Sequence, residues 1–517
     1  MGMIAGIDLG TTFSALAILN KIGRPEVVPN SEGERLTPSV VYFDEDQDAT
    51  VRVGIEALNC RQLNPDRAIR WIKRHMGDSQ WRKTFGERVW TPEEISSLIL
   101  KKLKQDAEMI YPNIQHVVIS VPAHFDEVRR KATMDAGAMA GLNVIGIVNE
   151  PVAAALYYAT THDVNGRVLV YDLGGGTFDV TIMDVSGQNI QIVCNQGDHA
   201  LGGVDFDRKI LQMFEKTYQE QTGQPLITNS QEQAQYEDEA EDVKKTLSRR
   251  PVAKKILYGK AGSARVEITQ AQFEEAVEPL VGRTEMLIDV SLQEAGCTIK
   301  EIDQVLLVGG STRIPLVQKR LTEKFGKPPL VAVNVDECVA LGAAIHAGLT
   351  LLRQHPEQVE AGIAAGLRDI KLKDVCNHSY GTLCAPFDEA TGKHVIRNSI
   401  LLKKNTPLPC EATQTFYTMC EGQTELQITI TQGEDEDPDF VNKIATEIFE
   451  LPPNRPANRP ILVRYSYDLN QRMHCTFCDE ESGRTLEVDF DLSEDGAAVH
   501  QSSIQQKTEE IAKFQVR

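Results

Sequence analysis

Residues 3 to about 352 alternate between short apolar runs and longer amphipathic stretches. Val117–Val121, Arg167–Tyr171, Val180–Asp184 and Gln304–Val308 read as strands, and Thr91–Ile110, Glu127–Ala140 and Ile314–Phe325 as helices. Such alternation predicts an α/β fold. Two segments repeat one pattern: Asp8-Leu9-Gly10-Thr11-Thr12-Phe13-Ser14 and Asp172-Leu173-Gly174-Gly175-Gly176-Thr177-Phe178-Asp179. Each follows one strand-like run and precedes another. The pair therefore predicts the same hairpin turn in two similar lobes, with a ligand site between them.

The pattern changes near residue 350. Leu349–Leu367 predicts a helix interrupted at Pro356, and Ile370-Lys371-Leu372-Lys373-Asp374 follows, apolar only at alternate positions. Beyond it Thr, Val, Ile and Phe dominate, with turn residues roughly every 8 to 12 positions. Glu425–Thr431 and Ile461–Tyr467 alternate with period two, as strands of an antiparallel sandwich do. Val499–Arg517 is polar with one weak helical stripe. The expected divisions are thus a two-lobed domain over 1–352, a helical extension and linker over 353–374, a β-sandwich over 375–495, and a short polar tail over 496–517.

Composition narrows the function. The formal charge is −20, from 54 Lys+Arg and 74 Asp+Glu. That balance argues against a general binder of nucleic acid or anionic membrane. No apolar run reaches the roughly 18 residues of a membrane span. Met1–Gly6 has no basic start or long apolar stretch of a secretory signal, so a cytoplasmic protein is expected. Ten Cys suit a reducing compartment. His474-Cys475-Thr476-Phe477-Cys478 holds a CxxC, but residues three apart on one strand point to opposite faces. Free thiols are expected there rather than a metal site. The acidic run Glu434–Asp439 lacks the Gly and terminal Glu of a calcium loop.

The paired turns carry the chemistry. Gly lets the backbone approach an anion closely, and exposed N–H groups and Thr hydroxyls donate to phosphate oxygens. An Asp at the strand end can hold a hydrated Mg²⁺. Two facing turns would grip a polyphosphate from both sides. A third stretch, Leu307-Val308-Gly309-Gly310-Ser311-Thr312-Arg313-Ile314-Pro315, offers backbone and a guanidinium to a flat base.

Taken in order, these motifs resemble the DnaK-type 70-kDa heat-shock chaperones. The resemblance rests on Gly6–Ser14, Ile72-Lys73-Arg74, Asn149–Ala155, Asp172–Asp179, Leu201–Asp207, the Glu241–Ser248 helix, Gly309–Pro315 and Asp336–Ala344. It is strong over residues 3–350 and weaker to about 495. It implies an actin-like ATPase domain, duplicated and ribonuclease-H-like, followed by a peptide-binding antiparallel sandwich. Gly10, Thr11, Thr12, Gly174, Gly175, Gly176, Thr177, Gly202 and Gly203 would hold the phosphates of ATP or ADP. Glu241, Lys244, Lys245 and Ser248 would clasp the nucleoside with Gly309, Gly310, Ser311, Arg313 and Asp336. Asp8 and Asp172 would position Mg²⁺ through water, and Asp179 would help site K⁺. Lys73 would orient the attacking water, with Glu150, Asp172 and Thr177 completing its hydrogen-bond shell. This is phosphoryl transfer to water by positioning and electrostatics. By the same resemblance, slow hydrolysis would gate binding and release of an unfolded or extended polypeptide, with Phe416 and Leu426 lining its pocket.

Four departures from the family's pattern qualify this. The linker has apolar residues only at alternate positions. The chain stops soon after the sandwich, where the family carries a helical lid. Ile145 and Gly146 replace two basic residues, one of which meets a J-domain co-chaperone, although Pro122, Arg130 and Asp374 of that relay are present. Lys245 stands in place of Arg at the nucleoside. A J-domain protein and a nucleotide exchange factor are the partners implied. The departures favour a second reading, a nucleotide-gated adaptor dedicated to one protein partner.

Overall fold

Two sheets of one design make up the first part of the chain. In the first, the strand Met3–Asp8 lies between parallel Ile114–Val121 and antiparallel Phe13–Leu19, with Val144–Asn149 and Pro25–Val28 outside them. In the second, Asn165–Leu173 lies between parallel Gln304–Val308 and antiparallel Phe178–Ser186. The two Asp-Leu-Gly segments are equivalent hairpin turns at the ends of equivalent strands. The protein's structure is a computed structural model that describes residues 2–44, 50–162, 165–331, 334–390, 392–469, 472–489 and 497–517.

The central strands are apolar on both faces because helices cover both. Between the sheets run Glu150–Thr161 and Cys338–Gln354, which meet backbone to backbone. A Cβ on Gly342 would stand 1.7 Å from the carbonyl oxygen of Ala153, and one on Gly6 would stand 2.0 Å from the amide of Ala344. Only small residues permit that approach, and it fixes Glu150 at the first turn of its helix. Thr91 and Glu94 form a capping box on Pro92–Glu108, and Asp126 caps Glu127–Met139. Cys338–Gln354 stops before Pro356, which cannot continue a helix, and a short helix Ala361–Leu367 follows. Lys371–Lys373 then adds to the second sheet as an edge strand, parallel to Asn189–Gln191.

Two four-stranded sheets form the sandwich. One runs Arg397–Leu402, Tyr380–Cys384, Glu425–Gln432, Asn442–Glu450; the other runs Cys410–Tyr417, Pro460–Tyr467, Met473–Asp479, Arg484–Asp489. Tyr380, Ile430, Tyr465 and Phe477 fill the space between. The boundary expected at 495 lies outside the described residues.

The sandwich rests on the first lobe through polar contacts. Tyr380 and Tyr467 both donate their hydroxyls to Glu127 Oε1, at 2.6 and 2.7 Å. Asn377 bonds Asn149 at 3.3 Å and accepts from Asn195 at 2.8 Å. Arg130 donates to Asn149 Oδ1 at 2.7 Å. Burial pushes the Glu127 carboxyl up, against the opposing pull of Arg130 and the two hydroxyls.

The final segment, expected as a short polar tail with one weak helical stripe, docks on the first lobe: Ala497–Ala512 is a helix packed on Glu127–Met139 and Pro92–Glu108, and Gln515–Val516 pairs with Thr50–Val51. Ile504 and Ile511 are buried in the first lobe's core. Lys101 Nζ donates to the carbonyls of Ile511 and Phe514, both at 2.9 Å, closing the helix end. Phe514 stands edge-on to Trp90, and the Arg88 guanidinium lies over both rings. Ile511→Asp buries an unpaired carboxylate, a change of several kcal/mol. It is expected to release the segment, and amide exchange at Val53 and Arg517, which now bond each other's strands, would rise toward the rate of an exposed chain.

Candidate active site

The two hairpin turns face each other across a cavity of about 450 Å³. They are nearly in contact: a Cβ on Gly175 would stand 2.5 Å from Thr12 Oγ1, and one on Gly176 would stand 2.5 Å from Thr11. Glycine is required here by space alone. The cavity is walled by Asp8, Gly10, Thr11, Thr12, Lys73, Glu150, Asp172, Gly174, Gly175 and Thr177 at its deep end. Glu241, Lys244, Lys245, Ser248, Gly309, Gly310, Ser311, Arg313 and Asp336 line the other end.

Four of the expected residues stand behind the wall rather than on it. Gly176 accepts from Arg74 Nε at 3.0 Å through its carbonyl. Gly202 abuts the backbone of Gly175 and Gly176, where a Cβ would fall 2.5 Å from the Gly176 amide. Gly203 accepts from Lys244 Nζ at 3.1 Å. Asp179 accepts from the His124 amide at 3.3 Å and keeps Oδ2 buried with no partner among the described residues.

The electrostatics of the deep end are one-sided. Asp8, Asp172, Asp179 and Glu150 converge on Lys73, the one cation there among the described residues, whose ammonium is ion-paired to Glu150. Burial and the neighbouring carboxylates push Asp8 up to about 7 and Asp179 up to about 8, and raise Asp172 strongly. Burial works against the Lys73 ammonium, but Glu150 and Asp8 outweigh it and hold its proton more tightly. Ser120 Oγ donates to Asp8 at 3.0 Å. An acid-rich, oxygen-only donor set with an orphaned carboxylate oxygen fits a hard cation that keeps its waters. Glycines that admit no side chain fit a phosphate chain.

At the other end, Arg313 makes a two-pronged pair with Asp336, at 3.2 and 2.6 Å. Lys245 pairs with Glu241 at 2.8 Å along one helix face. Burial raises the Glu241 carboxyl, but Lys245 and Lys244 prevail and hold it down to about 2. Lys245 and Arg313 therefore reach the site as members of ion pairs.

Three residues here escaped the sequence reading. Arg74 crosses from the first lobe to Asp205 of the second at 2.5 Å, tying the lobes beside the phosphate turns. Asp207 holds Lys244 at 2.8 Å. Both lie inside motifs already recognised, so motif membership was the available signal. Trp71 lines the cavity with left-handed backbone (φ 60°), costly for a bulky side chain, and Arg70 stacks on its ring at 4.8 Å. Nothing in the local sequence announces it.

The sequence model of the family described as Hsp70 protein matches residues 4–516. The chain belongs to the Hsp70 family. Members of that family are ATP-dependent chaperones: ATPases that bind ATP and ADP with Mg²⁺, and that bind unfolded polypeptides and co-chaperones. No described helix of this Hsp70 is long and apolar enough to cross a membrane. A second cavity, of about 860 Å³, opens in its sandwich. Phe416 and Leu426 are half-buried on its wall, with Phe387, Ile396 and Phe477. The described residues contain no cluster of three or more His, Cys, Asp or Glu able to hold a metal ion by themselves.

Proposed function

We propose that this Hsp70 hydrolyses ATP in the cleft between its lobes and uses the hydrolysis to gate an extended apolar polypeptide in the sandwich groove. The observation that carries the reading is the direct seating of linker and sandwich on the ATPase lobes. Lys371–Lys373 is a strand of the second lobe's sheet, while Tyr380 and Tyr467 are bonded to the first. A change in the angle between the lobes must then alter the sandwich's footing.

In this mechanism the backbone amides of the two turns, with Thr11, Thr12 and Thr177, hold the β- and γ-phosphates. Asp8 and Asp172 would hold Mg²⁺ through water and Asp179 would contribute to a K⁺ site; the metal, when bound, would neutralise charge on the phosphates. Lys73, protonated and paired with Glu150, offsets charge developing on the transferred group and aligns the attacking water with Glu150, Asp172 and Thr177. Glu241, Lys244, Lys245, Ser248 and Arg313 orient the nucleoside. Phe416 and Leu426 receive one apolar side chain of a peptide whose main chain is hydrogen-bonded along the groove. A J-domain protein would meet Ile145 and Gly146 where the family has basic residues, so its grip is weakened, although Pro122, Arg130 and Asp374 of the relay behind them are present. The protein would work in the cytoplasm.

The test is the dissociation rate of a fluorescent Leu-rich peptide from the full chain in ATP and in ADP. Release at least roughly tenfold faster in ATP, abolished by Thr177→Ala, is the expected result, a lowering of the release barrier by about 1.4 kcal/mol. Equal rates, with ATP still hydrolysed, would overturn the gating and leave the dedicated adaptor as the better reading.

A further inference from the structure

Trp71 carries two costs that packing does not explain. Its backbone is left-handed (φ 60°, ψ 26°), a conformation that bulky side chains rarely adopt. Its indole Nε1 is buried with no hydrogen-bond partner among the described residues, and a stranded buried donor is penalised. Strained backbone gathers at sites that bind or react. The turn Ile72–His75, which carries Lys73, begins directly after Trp71.

The position of Trp71 supplies a reason. It walls two cavities at once. One is the cavity between the phosphate turns. The other, of about 240 Å³, is walled by Arg61, Asp66, Arg70, Ser230 and Glu237 and lies between the helices Ile55–Leu63 of the first lobe and Ser230–Leu247 of the second. Trp71 therefore stands between the nucleotide cavity and an outer opening of the same cleft. Its ring is backed by the Arg70 guanidinium at 4.8 Å. Arg70 in turn donates across the cleft to Asp238 at 2.8 Å and to Glu241 at 3.2 Å. Glu241 lines the nucleoside end of the cavity, so the ring is tied, through Arg70, to that end.

We propose that Trp71 is a further nucleotide-binding residue, whose indole closes the cleft beside the nucleoside and whose Nε1–H donates to a nucleotide oxygen. The proposal rests on the reading of the cleft as the ATP site. A nucleotide brings the acceptor that the buried donor lacks, from its ribose hydroxyls or its phosphates. Glu241–Ser248 and Gly309–Arg313 all reach the nucleoside from the second lobe. Trp71 would add a contact from the first, so that parting the lobes withdraws the indole and frees the nucleotide.

The experiment uses the full chain labelled with ¹⁵N-tryptophan. Its three tryptophans, Trp71, Trp81 and Trp90, give three indole N–H signals, and the one missing from Trp71→Phe belongs to Trp71. Adding Mg·ADP should move that signal downfield and leave the signal of Trp90, buried in the first lobe's core, in place. A fluorescent ADP should leave Trp71→Ala at least roughly tenfold faster than wild type, the loss of one well-made hydrogen bond and the wall behind it. Trp71→Phe, which keeps the ring and loses the donor, should fall between. Single-turnover hydrolysis in Trp71→Phe should stay near wild type, since Lys73 and the phosphate turns are untouched. A Trp71 signal unmoved by bound ADP, or release from Trp71→Ala at the wild-type rate, would overturn the proposal and leave the ATP site standing. ADP that fails to bind wild type would overturn both. The wild-type signals decide even if Trp71→Ala folds poorly.

Discussion

Lys73→Ala is expected to slow single-turnover hydrolysis of bound ATP by roughly 10²–10³-fold, the loss typical when one preorganised charge is removed from a developing anion. Nucleotide affinity should change far less, because the phosphate turns and the nucleoside clasp do not involve Lys73. The reasoning is electrostatic. Asp8, Asp172, Asp179 and Glu150 all act on this one ammonium. In a buried site such an interaction is worth more than in water. Removing it leaves the attacking water among carboxylates without the ammonium that offsets the negative charge developing on the transferred group. Single-turnover kinetics together with equilibrium nucleotide binding separate the two effects. A variant that hydrolyses normally would remove Lys73 from the chemistry.

The second large effect belongs to Glu127. Glu127→Leu deprives the Tyr380 and Tyr467 hydroxyls of their acceptor while leaving them buried. Each stranded group costs about 1–3 kcal/mol. Together they should lower the docked population by roughly 10²- to 10³-fold, read as faster amide exchange over Lys371–Lys373. The triple change Glu127→Leu, Tyr380→Phe and Tyr467→Phe removes donors and acceptor together. It should recover part of the docking, because donors and acceptor go together, while the buried Arg130 guanidinium still loses the carboxylate that faced it. If the single change leaves exchange over Lys371–Lys373 unaltered, the cluster is incidental to docking.

How much of this was legible in the sequence follows the range of the interactions. The phosphate turns are local: Gly, Asp and Thr within seven residues impose the conformation and supply the donors, so Asp8–Ser14 and Asp172–Asp179 could be read directly. The linker strand was legible as alternation at Ile370 and Leu372. The Glu127 cluster was not, since its partners lie 253 and 340 positions away and each is unremarkable alone. Arg74 and Asp207 act by pairing with residues brought near only by the fold. Whether the final segment docks was left open because its average polarity hid its spacing. Ile504 and Ile511 are seven apart, two helical turns on one face. Phe514 and Val516 then alternate as a strand would.

The return of that segment to the first lobe ties the sandwich at its exit as well as at its entry. Its entry is stitched to the second lobe by Lys371–Lys373, and its exit runs into Ala497–Ala512 on the first. If the three-residue strand peels away, the sandwich is not cast loose. It remains leashed by a helix that shares the lobe's own core, and re-docking stays intramolecular, at an effective concentration that short tethers set near the millimolar range.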